Sequence, residues 1–157
     1  MIQRIQTVFL FLVSALLVAA CFFPVWAFDA AGGEVHQLFL LGYNHISASG
    51  EIVKEAMPYA ALGMLAFAAA TISLISIFQF KNRMKQLKLG YINAFLMIGI
   101  MAGSLYLVKY NLVELAGGKG NYSVGFFLVV GAIVANMVAG KFIRKDEELV
   151  RSMDRMR

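Results

Sequence analysis

The stretch MPYAALGMLAFAAATISLISIFQFKNRMKQLKL, residues 57–89, decides the fold class, because a long uncharged segment runs directly into a basic one. Residues 57–80 carry no charged side chain, and a helix of about 20 such residues crosses the roughly 30 Å of hydrocarbon in a bilayer. The basic residues that follow are Lys81, Arg83, Lys85 and Lys88. Basic residues beside a span stay in the cytoplasm, so the stretch predicts a transmembrane helix whose carboxyl end lies inside.

The composition supports a membrane protein for the whole chain of 157 residues. Hydrophobic residues make up 61% of it and charged residues 15%, whereas soluble domains have about 45–50% and about 25%. Continuous apolar runs favour helices, since only helices and closed barrels satisfy the backbone hydrogen bonds in lipid. We therefore predict an all-α fold, a single domain of residues 1–157. Its four transmembrane helices are predicted at about residues 5–26, 57–80, 90–109 and 122–140.

Loop charges predict the orientation of this bundle. The predicted outer loop, residues 27–56, is acidic, with Asp29, Glu34, Glu51 and Glu55 against Lys54. The predicted cytoplasmic tail, residues 141–157, has six basic and four acidic residues. The positive-inside rule then predicts that both termini lie in the cytoplasm. The net charge of +5 is explained by retention of these segments inside, so we expect no nucleic-acid partner.

The tail has the pattern of a short amphipathic helix. Its apolar residues recur at helical spacing, namely Phe142, Leu149, Met153 and Met156. Such a helix either lies on the membrane surface, held by its apolar stripe and by anionic lipid, or docks on a partner protein. The candidate contacts with lipid or partner are Lys81, Arg83, Lys85, Lys88, Arg144, Lys145 and Arg151.

One amide side chain lies near the cytoplasmic end of each predicted span, and the four are Gln6, Gln79, Asn93 and Asn136. Asn136 shares a helical stripe with the small residues Gly125, Ala132 and Ala139, which predicts that it faces protein. Amides between membrane helices contribute about 0.6 kcal/mol each, and up to about 2 kcal/mol. Two interpretations remain open, a polar layer between the helices or solvation by lipid headgroups.

The outer loop contains a Ser-Ala-Ser-Gly turn signal at residues 47–50, which predicts a small hairpin. The apolar run Leu38–Leu41 is expected to lie on the helices or on a partner.

The stretch LVAAC, ending at Cys21, has the pattern of a lipoprotein cleavage box. Because the apolar run continues past Cys21, we expect an uncleaved helix with a buried thiol.

The sequence predicts no catalytic, cofactor-binding or metal site, and therefore a protein that is not an enzyme. His36 and His45 share the outer loop with Glu34, Glu51 and Glu55, but their spacing matches no ligand motif. The cores of the predicted spans contain no ionisable side chain, which argues against proton-coupled transport. Their serines have no nearby His or acidic residue, as nucleophilic catalysis would require.

Three segments carry a family resemblance: MIQRIQT at residues 1–7, IFQFKNRMKQLKLGYINAFL at 77–96, and FIRKDEELVRSMDRMR at 142–157. On these the chain resembles a domain-of-unknown-function family of short bacterial inner-membrane proteins with four predicted spans. The resemblance covers essentially the whole chain and implies a multi-pass protein of the bacterial inner membrane. It implies no catalytic residues. The matching motifs are all cytoplasmic, which suggests that face for partner contact.

The expected function is that of a non-enzymatic accessory or structural subunit that packs against another membrane protein within the bilayer. The alternative is a small oligomeric channel or transporter for a neutral or apolar solute. Neither interpretation requires a cofactor.

Overall fold

The computed structural model describes residues 2–30, 32–80 and 82–155, and the side chains of all of these except residues 2–4, 151 and 153–155. Four consecutive short strands follow the first helix, and a fifth strand precedes the last helix. In chain order the elements are α1 (Ile2–Ala20), β1 (Trp26–Asp29), β2 (Val35–Phe39), β3 (Gly42–Ile46), β4 (Ile52–Glu55), α2 (Ala60–Phe78), α3 (Arg83–Leu107), a π-helical segment (Val108–Leu112), α4 (Val113–Ala116), β5 (Asn121–Tyr122) and α5 (Val124–Arg155).

The long helices α1, α2, α3 and α5 pack side by side in a closed ring. Both α1 and α3 contact α2 on one side and α5 on the other. The apolar core inside the ring includes Val13, Leu17, Ala66, Ala69, Met97, Ile100 and Ala132. Small side chains let membrane helices approach closely and gain van der Waals contact. Large apolar side chains such as Phe78 and Phe95 lie outside the core, 76% and 77% exposed.

Three helical segments are long and apolar enough to cross a membrane: Ala60–Phe78, Arg83–Ala116 and Val124–Val150. In α1 the apolar segment is shorter, Ile5–Ala20. The prediction of four transmembrane helices is therefore wrong, and the described residues contain three candidates. The predicted first span ran to residue 26, but α1 ends at Ala20 because Pro24 cannot donate the backbone hydrogen bond that a continuing helix needs.

The predicted outer loop is mostly β-sheet, so the all-α prediction is also wrong. Four strands from this region and the distant β5 form one antiparallel sheet in the order β4-β3-β2-β1-β5. The hairpin expected at Ser47–Gly50 is present, and it joins β3 to β4. Its turn uses Gly50 at φ +83°, a left-handed conformation that glycine adopts without strain.

One face of the sheet packs on the end of the helix ring. Trp26, Leu38 and Tyr43 project from neighbouring strands onto Val108 and Leu112 of the π-helical segment, and all five are buried. Of the run predicted to lie on the helices, Leu38 joins this cluster and Leu40 joins the main core. The sheet is therefore fixed to the helices by apolar burial, which also fixes the register of its strands.

The basic loop predicted between α2 and α3 is shorter than expected, because α3 begins at Arg83. The side chain of Asn82 accepts a hydrogen bond from the Lys85 backbone N–H at 3.1 Å, and this N-cap satisfies one of the free donors of the first turn. Most of the basic residues therefore lie on α3 itself.

The C-terminal tail is helical but is not a separate helix. It continues α5, whose 32 residues reach about 48 Å at 1.5 Å per residue. The predicted short surface helix is wrong in this respect, because no break in the backbone separates it from the preceding apolar residues. A helix of this length exceeds the roughly 30 Å of a bilayer core, so its charged end projects beyond the apolar part.

Candidate functional site

Two histidines and a carboxylate meet at the sheet face that packs on the helices. His36 in β2 lies directly opposite His45 in β3, and their rings stack with centroids 4.5 Å apart. Glu34 immediately precedes β2, and its Oε2 lies 4.0 Å from Nε2 of His36 and 3.6 Å from Nε2 of His45. Each residue contributes one possible ligand atom, and these atoms lie within 4.8 Å of one another.

Local backbone geometry explains how Glu34 reaches the histidine pair. The turn between β1 and β2 is closed by a 2.8 Å hydrogen bond from the Ala30 N–H to the Glu34 carbonyl. Gly33 in this turn has φ +83°, which is favourable for glycine and costly for other residues. The turn therefore fixes the backbone of Glu34, the residue directly before β2, and holds its carboxylate beside the histidines.

Tyr43 orients the buried histidine. The His36 ring is 5% exposed, and its Nδ1 lies 2.5 Å from the Tyr43 hydroxyl. When Nδ1 donates this hydrogen bond, the lone pair is on Nε2, the nitrogen nearest Glu34. Histidines that bind metals are commonly held in this way through their second nitrogen.

The electrostatic environment favours the neutral form of His36 and the protonated form of Tyr43. Burial and the neighbouring His45 lower the pKa of His36, although Glu34 opposes them. Burial raises the pKa of Tyr43 to about 12, and Tyr59, Glu55 and Glu34 add to this effect. A neutral imidazole has the free lone pair that a metal ion requires.

Two imidazoles and one carboxylate form a ligand set that suits Zn²⁺ and similar transition-metal ions. Zn–ligand bonds of about 2.0–2.2 Å in a tetrahedral site place the ligand atoms roughly 3.3 Å apart. The distances between the ligand atoms, now up to 4.8 Å, would therefore shorten by up to about 1.5 Å on binding. A pocket of about 220 Å³ adjoins the cluster, lined also by Val53, Glu55 and Leu115, and leaves room for a fourth ligand.

Among the four predicted amides, two connect helices. Gln6 donates through Nε2 to the Phe142 carbonyl at 3.3 Å, which links α1 to α5. Asn136 donates through Nδ2 to the Gly90 carbonyl at 3.0 Å, which links α5 to α3. Asn93 is 1% exposed, and neither polar atom of its side chain has a hydrogen-bond partner among the described residues.

Two other side chains complete the links around the ring. Ser73 of α2 donates to the Leu10 carbonyl of α1 at 2.7 Å, and Gln86 of α3 donates to the Ser76 carbonyl of α2 at 2.9 Å. The sequence did not indicate Gln86 as a helix link, because this residue falls inside the segment predicted as a loop, and it indicated no partner for Ser73. Gln79, the fourth predicted amide, is half-buried in the turn that follows α2.

The structure brings the predicted basic contact residues to one end of the molecule. Arg83 forms a 2.8 Å ion pair with Asp146, which joins the start of α3 to α5. Arg144 donates a hydrogen bond to the Tyr91 hydroxyl, again between α5 and α3. The exposed members of the set include Lys85, Lys88 and Lys145. Outside the described part of the chain lie Lys81 and the side chain of Arg151.

A family model described as Domain of unknown function (DUF4293) matches residues 2–156. The chain belongs to the DUF4293 family. Comparison with curated proteins gave no match. The family resemblance expected from the sequence is thus confirmed for nearly the whole of this DUF4293 chain. Its three long apolar helices associate it with a membrane.

The expectation that this DUF4293 protein has no metal site was based on sequence spacing, and that test does not detect ligands on neighbouring strands. His36 and His45 meet because the turn at Leu40–Leu41 pairs β2 with β3. The sequence does contain a signal for this pairing, since VHQLF and GYNHI are two β-prone runs separated by two residues. The hairpin predicted at Ser47–Gly50 is the next one along the chain, and it joins β3 to β4.

Proposed function

We propose that the protein is a multi-pass protein of the bacterial inner membrane that binds one Zn²⁺-type ion on its sheet and serves as a non-enzymatic accessory subunit. The observation that supports this proposal best is the cluster of Glu34, His36 and His45, with three possible ligand atoms within 4.8 Å. The Tyr43 hydroxyl, which holds His36 through its other nitrogen, adds the orienting contact that metal sites use.

The charge distribution supports an orientation with the sheet outside the cytoplasm. Lys85 and Lys88 on α3 and Lys145 on α5 are exposed at the end opposite the sheet. Basic residues at the ends of spans are retained in the cytoplasm. The sheet and its histidine cluster would then face the periplasm, where they could take up a metal ion without crossing the membrane.

The accessory role is supported by the same basic end. The charged part of α5 extends beyond the apolar part and offers Lys145 and Glu148 to a partner, since both are exposed. A stoichiometric membrane-protein partner that remains bound in mild detergent is the expected result of co-purification. Recovery of the chain without any partner at native expression levels would contradict this part of the proposal.

Metal binding is tested by titrating Zn²⁺ into chelator-treated protein in detergent, with bound metal measured by mass spectrometry and stability by thermal unfolding. We expect one ion per chain and stabilisation of about 2.7 kcal/mol when free Zn²⁺ is a hundredfold above Kd. Glu34→Gln should weaken binding by at least about tenfold. Glu51→Gln is the matched control, because Glu51 lies in the same sheet region but outside the cluster.

Equal affinities for the Glu34→Gln and Glu51→Gln variants would contradict the metal site, as would the absence of any bound ion. His36→Gln and His45→Gln provide second tests of the same ligands. Zn²⁺-dependent hydrolysis of an ester or peptide that is lost in Glu34→Gln would support the metal site but overturn the non-enzymatic role, because catalytic zinc also has three protein ligands.

A further inference from the structure

A groove opens between α3 and α5 at the basic end of the helix ring. Its volume is about 290 Å³, and most of its lining is apolar, including Leu87, Ala94, Met137 and Ile143. This volume is near the lower end of small-molecule pockets, about 300–1,000 Å³, so the groove can hold part of an extended apolar chain.

Two glycines keep the groove open. Gly90 of α3 and Gly140 of α5 both line it, and a Cβ added at either position would meet no atom within 4 Å. The space beside them is therefore not filled by another part of the protein. Met137 and Tyr91 at the mouth are each 58% exposed, so the groove opens towards the surroundings of the helices.

A fixed cation lies at the rim. Arg144 donates a hydrogen bond to the Tyr91 hydroxyl, and its guanidinium lies 5.6 Å from the centroid of the Tyr91 ring. Arg144 is exposed, and these contacts hold its charge beside the groove. Lys141, one helical turn earlier, also lines the groove. Neither cation has an acidic partner within salt-bridge distance among the described residues.

One buried acceptor at the groove also lacks a partner. Gln86 lines the groove and is 3% exposed. Its Nε2 donates to the Ser76 carbonyl, but its Oε1 has no hydrogen-bond partner among the described residues. A buried amide oxygen without a donor costs free energy, and a ligand with a hydroxyl group would supply that donor.

We propose that this groove binds an anionic glycerophospholipid of the phosphatidylglycerol class. The phosphate lies on Arg144 and Lys141, one acyl chain enters the apolar groove beside Gly90 and Gly140, and a glycerol hydroxyl of the headgroup donates to Gln86. A zwitterionic choline headgroup fits less well, because its cation would lie beside two others and it has no hydroxyl donor. This site goes beyond the proposed metal function and is independent of it.

The test uses the full chain purified in detergent and freed of lipid. Dioleoylphosphatidylglycerol or dioleoylphosphatidylcholine is added, and bound lipid is counted by native mass spectrometry while thermal unfolding is followed in parallel. We expect one retained phosphatidylglycerol and at least about tenfold weaker retention of phosphatidylcholine. Inorganic phosphate alone should give no stabilisation, since it lacks the acyl chain.

Matched variants separate the groove from general surface charge. Arg144→Gln should weaken phosphatidylglycerol binding roughly tenfold. Lys145→Gln removes the same charge one residue away, outside the groove lining, and should leave phosphatidylglycerol binding unchanged. Gly140→Leu should block the apolar part without disturbing the fold, because it enters open space.

Equal binding of the two lipids, or equal losses in Arg144→Gln and Lys145→Gln, would overturn the proposal. So would full stabilisation by inorganic phosphate alone, which would make the rim a simple anion site. If Gly140→Leu does not fold, the comparison of Arg144→Gln with Lys145→Gln decides the result by itself.

Discussion

At the residue scale, two glycines of α5 have opposite surroundings. A Cβ at Gly125 would lie 2.5 Å from the Phe23 carbonyl oxygen and 2.8 Å from that of Pro24, whereas a Cβ at Gly140 meets nothing within 4 Å. The Gly125 N–H also donates to the Pro24 carbonyl at 2.9 Å. Gly125 therefore lets the start of α5 lie directly against the segment that leads from α1 into the sheet.

The same substitution at these two positions should have opposite effects. Gly125→Ala is expected to lower the free energy of unfolding by about 1–3 kcal/mol, because backbone atoms must move to admit the methyl group. Gly140→Ala should be neutral or stabilising by up to about 1 kcal/mol, since alanine is the better helix former. Thermal or denaturant unfolding in detergent measures both. Equal stabilities of the two variants would contradict the close approach at Gly125.

At the element scale, each of the four contacts between neighbouring long helices contains, among the described residues, a hydrogen bond from a side chain to a backbone carbonyl. The donors are Gln6, Ser73, Gln86 and Asn136. Burial of apolar side chains between helices gives little driving force in lipid, because the lipid tails are equally apolar. Close packing and such hydrogen bonds therefore contribute much of the free energy of helix association. All four bonds therefore help to fix the order and register of the ring.

Removal of one of these donors should be measurable. Asn136→Leu is expected to lower the free energy of unfolding by about 0.6–2 kcal/mol, because the Gly90 carbonyl loses its donor from α5. Gln79→Leu is the matched control, an amide at the same end whose side chain forms no hydrogen bond between helices among the described residues. Unfolding in detergent compares the two. An unchanged stability for Asn136→Leu would show that this hydrogen bond adds nothing measurable to the contact between α3 and α5.

The sequence predicts the helices well and the sheet poorly, for physical reasons. α2 and residues 124–140 of α5 are uncharged, mostly apolar runs whose hydrogen bonds are local, so each is visible without its neighbours. The strands are only two to five residues long, so each gives a weak signal by itself, and β1 also pairs with a partner far along the chain, since Asn121 pairs with Ala27. The histidine cluster is predictable only once the register of β2 against β3 is known. Glu34, His36 and His45 do not form a motif in sequence order.

At the scale of the whole molecule, the two ends of the helix ring differ in chemistry. One end is closed by the sheet, with His36 and Glu34 on it and the buried Trp26 beneath. The other end presents exposed lysines on α3 and α5. The helix ring therefore has a preferred orientation across a membrane, with its basic end in the cytoplasm and the acidic sheet region outside. Lysine and arginine resist translocation, which sets this orientation. The proposed metal and lipid sites therefore lie on opposite sides.

This direction can be measured with single cysteines. Cys21 is the only cysteine and is 3% exposed, so a Cys21→Ala background leaves no competing thiol. Single cysteines are then introduced as Lys54→Cys on the sheet, Lys88→Cys on α3 and Lys145→Cys on α5. All three positions are exposed. A maleimide that cannot cross the inner membrane is applied to cells with a permeabilised outer membrane. Lys54→Cys should react at once, and the other two only after the inner membrane is disrupted.

The agreement of Lys88→Cys with Lys145→Cys is the internal control, because these positions lie on different helices at the same end of the ring. Labelling of all three before disruption would contradict a membrane-spanning arrangement. The reverse pattern would contradict only the orientation, and the histidine cluster would then draw its metal ion from the cytoplasm. In detergent both sides of the protein are open to the solution, so the Glu34→Gln titration would give the same answer in either orientation. The labelling experiment therefore tests where the site lies, and the titration tests whether it binds a metal ion.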